Sequence, residues 1–248
     1  MIFRRRHLLG LEELAREEIL HILDIARTFR EVLDRPVKKV PSLRGVTVCN
    51  AFYEASTRTR LSFELAAKRL SADTLSFSTS GSSVAKGETL LDTIRNIEAM
   101  RVDMVVIRHS SSGAAHFLAK RIKARVINAG DGVHEHPTQG LLDLYTIRER
   151  FPELSGVRVT IVGDIAHSRV ARSNIWALVK CGAQVTLCGP STLMPAEIER
   201  TGVRVTHRLE EALEEVQVVM ALRVQRERME GGYLPSMREY ARTFGIRA

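Results

Sequence analysis

The chain has 248 residues, 44% of them hydrophobic, which is enough for a substantial core in one or two domains. No long apolar run lacks charge, which argues against a transmembrane span; Glu12 and Glu13 interrupt any signal-peptide core after the basic Met1–His7 stretch, so the protein reads as cytoplasmic. The 37 basic residues outnumber 29 acidic ones for a formal charge of +8, but they are scattered, aromatics make up only 5% and no nucleic-acid motif appears, so a field that draws small anions explains the charge equally well.

In chain order, apolar spacing predicts a first helix over about 11–33, with Leu14, Ile19, Ile22, Leu23, Ala26 and Phe29 on its buried stripe. After Pro36 and Pro41, strands near 45–52, 74–77, 102–108 and 125–128 alternate with helices near 57–70, 88–100, 113–121 and 137–150. The Phe151–Gly156 stretch breaks the pattern and sets the expected boundary between a domain over 1–150 and one over 151–248. A second series follows: a strand at 157–162, a helix at 169–181, and strands near 184–188, 203–206 and 216–222, with shorter helical patterns between them. This alternation implies an α/β protein of two domains, each a parallel sheet flanked by helices. Cys49, Cys181 and Cys188 form no CxxC pair and read as buried free thiols of a reducing compartment.

Several segments fall where such folds do chemistry. The apolar run Val46–Phe52 hands over to a helix with Leu61, Leu65, Ala66 and Leu70 on one face, and Ser56, Thr57, Arg58 and Thr59 occupy the turn. Backbone N–H groups and the helix dipole favour an anion there, and two hydroxyls with a guanidinium add donors suited to phosphate. An isolated Ser-Thr pair would be ordinary capping; this composition is not. The Thr79–Glu88 segment is small, polar and glycine-bearing and reads as a loop. Arg108 closes the strand Met104–Ile107 at the end where α/β folds place ligands. His136 precedes Pro137, which suits the first turn of a helix, and alone it would read as a capping histidine. Val162-Gly163-Asp164 has one glycine of the dinucleotide pattern, too few for a nucleotide site. No zinc spacing, P-loop, HExxH or GxSxG occurs, so the sequence calls for no metal, cofactor or covalent nucleophile.

Ser56-Thr57-Arg58-Thr59-Arg60 resembles the carbamoyl-phosphate motif of the transcarbamoylases. Ser82–Glu88, His136–Gly140, Val162–Asp164 running to Arg169, and Arg223-Val224-Gln225 follow in the family's order and spacing. Within the aspartate/ornithine carbamoyltransferase superfamily, these segments are similar to those of the aspartate carbamoyltransferase catalytic chains. The resemblance implies two α/β domains with the active site in the interdomain cleft. It implies that Ser56, Thr57, Arg58 and Thr59 cradle the phosphate, with Thr59 also reaching the carbonyl. Arg108 would serve the phosphate and carbonyl oxygens, His136 would donate to the carbonyl oxygen, and Gln139 would fix the carbamoyl NH₂. Ser82 and Lys86 would reach the site of a neighbouring subunit, with Lys86 serving both substrates. The residue before Lys86 is Ala85, where some relatives carry a second lysine. Arg169, Arg223 and Gln225, with Lys86, would hold L-aspartate. Two guanidinium forks suit a dicarboxylate, and the Ser-Met-Gly type element of ornithine carbamoyltransferases is missing.

The implied activity is carbamoyl transfer from carbamoyl phosphate to L-aspartate in pyrimidine biosynthesis, with Arg58, Thr59, Lys86, Arg108 and His136 as the catalytic set. The implied assembly is a homotrimer with shared sites; the sequence is silent on a regulatory chain or dihydroorotase as further partners. The alternatives are a carbamoyltransferase for another amine such as ornithine, and an inactive carbamoyltransferase-like scaffold. Relatives continue with a His-Pro-x-Pro loop and a further helix, whereas here no histidine follows His207 and no proline follows Pro235. The second domain is therefore expected to lack its C-terminal part.

Overall fold

The computed structural model describes residues 4–78, 88–225, 228 and 236–246. Packing divides the chain into two units, Met1–Thr138 and Gln139–Ala248.

The first unit contains α1 (Arg16–Val32), β1 (Thr47–Phe52), α2 (Thr57–Arg69), β2 (Asp73–Ser78), α3 (Leu90–Ala99), β3 (Met104–His109), α4 (Ala114–Ala119) and β4 (Arg125–Asp131). Its four strands are parallel and lie in the order β2-β1-β3-β4. The two central strands carry apolar runs, broken in β1 by the buried Asn50, because both of their faces are covered. Period-two alternation sends Cys49, Ala51, Val105 and Ile107 to one face, against Ile94 of α3 and Ala115 and Leu118 of α4. Val48, Phe52 and Val106 point the other way, against Ala67 of α2. Each fully buried aliphatic side chain contributes roughly 1.5–3 kcal/mol. The chain leaves β1 toward β2 on one side and returns to β3 on the other. The carboxyl ends of β1 and β3 therefore form a topological switch point, where α/β sheets bind ligands.

The body of α5 (Pro137–Arg150) lies in the second unit, with β5 (Arg158–Val162), α6 (Arg169–Lys180), β6 (Gln184–Cys188), β7 (Arg204–Thr206), α7 (Leu209–Leu213), β8 (Val218–Ala221) and α8 (Met237–Phe244). This sheet is also parallel, in the order β7-β6-β5-β8. Its switch point lies between β5 and β8. The division by packing falls one helix ahead of the Phe151–Gly156 break, and Asp143 of α5 bonds to Asn174 of α6 at 2.7 Å. Among the described residues no helix is long and apolar enough to cross a membrane.

The structure differs from the sequence-based expectation at the start and buried face of α1 and on the face that α2 turns to the sheet. The first helix starts at Arg16: Ala15 is extended and its N–H donates to Glu18 Oε2 at 2.9 Å, while the N–H groups of Leu11 and Glu12 donate to the buried Glu135 carboxylate at 2.8 and 3.2 Å. Leu11 and Leu14 are still buried, in a turn rather than a helix. Phe29, expected on the buried stripe, is 37% exposed, and on α2 Leu61 and Leu65 are 54% and 48% exposed. Phe63 and Ala67 cover the sheet instead.

Candidate active site

Strand β1 delivers the chain into α2 through Tyr53–Ser56. Ser56 occupies the N-cap position in extended conformation, its side chain makes no capping hydrogen bond, and the first turn of α2 holds no acidic residue. The positive end of this helix is thus left without the usual internal compensation, which is the condition for binding an anion. Thr57 and Arg58 are exposed, while Ser56 and Thr59 are half-buried.

Arg108 reaches the same place from β3. Phe52 stands opposite Arg108 in the parallel register, and Tyr53 donates its N–H to the Arg108 carbonyl at 2.8 Å. The guanidinium donates to Glu54 Oε1 at 2.6 Å and to the Ala129 carbonyl at 3.3 Å. Ala129 lies in an irregular stretch of β4, where pairing shifts from Ile107–Asn128 to His109–Asp131. The Asn128 side chain holds that irregularity by accepting from the N–H of Gly130 at 2.8 Å. Ser56–Thr59 and Arg108 therefore belong to one cluster at the first switch point.

His136 follows the β4 loop and is buried at 6% exposure, with Thr138 Oγ1 3.4 Å from its Nδ1. The loop ahead of it is set by Asp131. Oδ1 of Asp131 accepts from Asn128 Nδ2 at 2.7 Å and from the N–H of Glu135 at 3.2 Å; Oδ2 accepts from the N–H of Gly113 at 2.7 Å, with His134 Nδ1 3.1 Å away. Burial alone would raise the Asp131 carboxyl, but the bonds from His134 and Asn128 outweigh it and hold the group below its ordinary range. His116, Asp131 and His134 bring potential metal ligands within 4.8 Å of one another. The Asp131 lone pairs are already spent on four protein donors, so this grouping is a hydrogen-bond hub that shapes the loop before His136.

In the second unit, Gln139 sits in the first turn of α5 and donates through Nε2 to Asp143 Oδ1 at 2.8 Å. Arg169 opens α6 behind the Ser168 N-cap and is buried at 2% exposure. Arg223 and Gln225 follow β8 and bond to each other: Arg223 Nη2 donates to Gln225 Oε1 and Gln225 Nε2 to the Arg223 carbonyl, each at 3.1 Å. Asp164 ties the two strand ends together. Its buried carboxylate accepts from His167 Nδ1 at 2.8 Å and from the N–H of Gln225 at 3.0 Å. The approach depends on Gly163, whose φ is +131° and where a Cβ would meet the Leu222 carbonyl at 2.9 Å. Arg169, Arg223 and Gln225 thus lie beyond adjacent strands at the second switch point.

Ser82 and Lys86 lie outside the described residues. Sequence reasoning gives no role to Glu54, Asp143 or Asp164, the last of which it names only as part of the Val162–Asp164 motif. Only Asp164 carries a local signal, at the end of an apolar strand after a glycine; the other two are defined by partners from elsewhere in the fold.

Comparison with known proteins gives a consistent result. A family profile described as aspartate/ornithine carbamoyltransferase, carbamoyl-P binding domain, matches residues 6–149. The aspartate carbamoyltransferase catalytic subunit of Gemmatimonas aurantiaca is 60% identical over 97% of the chain, which spans 76% of that relative. The catalytic subunit of M. jannaschii aspartate transcarbamoylase superposes with a TM-score of 0.81 at 37% identity, covering 96% of this chain and 79% of that one. Aspartate transcarbamoylase from Trypanosoma cruzi, solved with carbamoyl phosphate and aspartate, gives 0.82 at 31% identity over 90% of this chain and 74% of that one.

Proposed function

The chain belongs to the aspartate/ornithine carbamoyltransferase family, and from that premise we propose that it transfers the carbamoyl group of carbamoyl phosphate to the α-amine of L-aspartate, giving N-carbamoyl-L-aspartate and phosphate in pyrimidine biosynthesis. The observation that carries this reading is the cluster at the first switch point: an uncompensated helix start at Ser56–Thr59 beside Arg108 of the neighbouring strand. Hydroxyls, N–H groups and guanidinium there suit the dianionic phosphate.

Thr59, Arg108 and His136 stabilise the oxyanion that grows as the amine attacks the carbonyl. Thr138 Oγ1 lies 3.4 Å from His136 Nδ1, and the tautomer with its proton on Nε2 is the one that donates to that oxygen. The C–N bond forms, the C–O bond to phosphate breaks, and the departing phosphate takes the amine proton. Holding both reactants in attack geometry contributes on the order of several kcal/mol. Arg169 and Arg223 with Gln225 bind the two carboxylates of aspartate, which favours it over the cationic side chain of ornithine.

Ser82 and Lys86 complete the site of an adjacent subunit in a homotrimer. Leu61, Leu65 and Leu75, exposed on α2 and the edge strand β2, support assembly through the first unit. The three buried free cysteines fit a reducing cytoplasm. The test is product formation from carbamoyl phosphate with L-aspartate and L-ornithine assayed in parallel. Product with aspartate alone is expected; product with ornithine would overturn the substrate assignment.

A further inference from the structure

We infer that Asp143, through its bond to Gln139 and its anchor on Asn174, is a positioning residue that forces the Gln139 amide to present its oxygen, an acceptor, to the carbamoyl NH₂. The inference rests on the reading of Gln139 as the carbamoyl-amide ligand and adds the device that sets its polarity.

A glutamine amide has two nearly isosteric ends, and only one can serve an NH₂ group. An unconstrained Gln139 would be free to offer Nε2, placing donor against donor. The surroundings remove that freedom. An ionised carboxylate only accepts, so whichever end of Gln139 faces Asp143 must be nitrogen; Nε2 lies 2.8 Å from Oδ1 and the opposite end of the amide is Oε1. Asp143 is in turn held by Asn174, whose Nδ2 donates to Asp143 Oδ2 at 2.7 Å and to the Val170 carbonyl at 3.0 Å. Both neighbours of that nitrogen are acceptors, and Asn174 is fully buried, so it cannot turn without setting oxygen against oxygen. Polarity passes from the Val170 carbonyl through Asn174 and Asp143 to Gln139. Val170 and Asn174 belong to α6, the helix that opens with Arg169, so one chain of bonds orients the carbamoyl ligand and ties it to the helix bearing an aspartate ligand.

Replacement of Asp143 by Asn keeps the volume and reverses the logic. Asn174 still demands an acceptor, so the new amide turns its oxygen to Asn174 and its NH₂ to Gln139. Gln139 must then flip and offer Nε2 to the ligand. Asp143→Asn should weaken carbamoyl phosphate binding about tenfold or more, since a donor is left facing a donor. Binding of inorganic phosphate, which has no NH₂ to meet the Gln139 amide, should stay within about twofold, whereas a purely structural lesion would weaken both ligands alike. The double variant Asp143→Asn/Gln139→Glu restores an acceptor: one oxygen of the introduced carboxylate takes the NH₂ of the introduced amide, and the other faces the ligand. It should recover most of the lost affinity and bind better than either single variant.

Calorimetric titration of each variant with carbamoyl phosphate and with phosphate decides the matter, with thermal melts recorded alongside. Native-like carbamoyl phosphate affinity in Asp143→Asn, equal loss of both ligands, or no recovery in the double variant would overturn the inference. If Gln139→Ala binds carbamoyl phosphate as the native chain does, the underlying reading of Gln139 fails and this inference with it. If Gln139→Ala loses affinity and Asp143→Asn does not, only the role of Asp143 fails.

Discussion

Arg108 is bound to Glu54 and to the residue before it: Nη2 donates directly to the Glu54 carboxylate at 2.6 Å, and the Arg108 carbonyl accepts from the N–H of Tyr53. The strand-end cation is therefore held against the turn that carries Ser56–Thr59. Within that cluster, the anion that neutralises Arg108 belongs to the protein.

An incoming phosphate must share Arg108 with Glu54 or displace it. Glu54→Gln keeps a hydrogen-bond acceptor and removes the competing charge, so inorganic phosphate should bind about two- to fivefold more tightly. Arg108→Ala should weaken the same ligand about tenfold or more, because a charge-assisted contact is lost. Titration calorimetry with phosphate checks both, and tighter binding by Arg108→Ala than by Glu54→Gln would contradict the account.

Asp131 makes the loop before His136 sensitive to acid. Its folded carboxyl titrates below its ordinary value of 3.8. Its contribution to stability is therefore fully present above that value and is lost as the pH falls through the folded value. Asp131→Asn should be less stable than the native chain at pH 6, and the gap should be narrower at pH 3. Urea midpoints at about pH 6 and about pH 3 measure this; an unchanged gap would show that the Asp131 charge is not what holds the loop.

How far these features can be read in the sequence depends on how local their causes are. Strand β1 ends where its apolar run ends, and Pro137 opens α5 as its fixed φ requires. Ser56–Thr59 and Arg108 can each be placed at a strand end. Their meeting depends on β1 lying beside β3, a strand order that no local pattern encodes. The start of α1 also departs from the apolar pattern: Leu11 and Leu14 fit a helical period, but the extended Ala15 separates them from the helix and Glu135, distant in sequence, holds the turn they occupy. Leu61, Leu65 and Phe29 show another limit, since periodicity identifies an apolar face and not what covers it. Glu54 and Asp143 give no signal because their importance lies in their partners.

Sharing of sites between subunits can be tested through Lys86 and Arg58. Lys86→Ala and Arg58→Ala chains should each be inactive alone, the first lacking the donated lysine and the second the phosphate cradle. When the two are unfolded together and reassembled, a mixed trimer has an interface at which both residues are native, and activity should return. No activity in verified mixed trimers would mean that Lys86 serves its own subunit or none.

The central claim is that the two switch points hold different substrates. It is tested most directly by measuring carbamoyl phosphate affinity and aspartate KM in Arg223→Gln. The account predicts carbamoyl phosphate binding within about twofold of native and an aspartate KM raised roughly tenfold to a hundredfold, since a charge-assisted carboxylate contact is worth about 1.5–3 kcal/mol. Equal weakening of both substrates would contradict the assignment of Arg223 to aspartate and, with it, the division of the site.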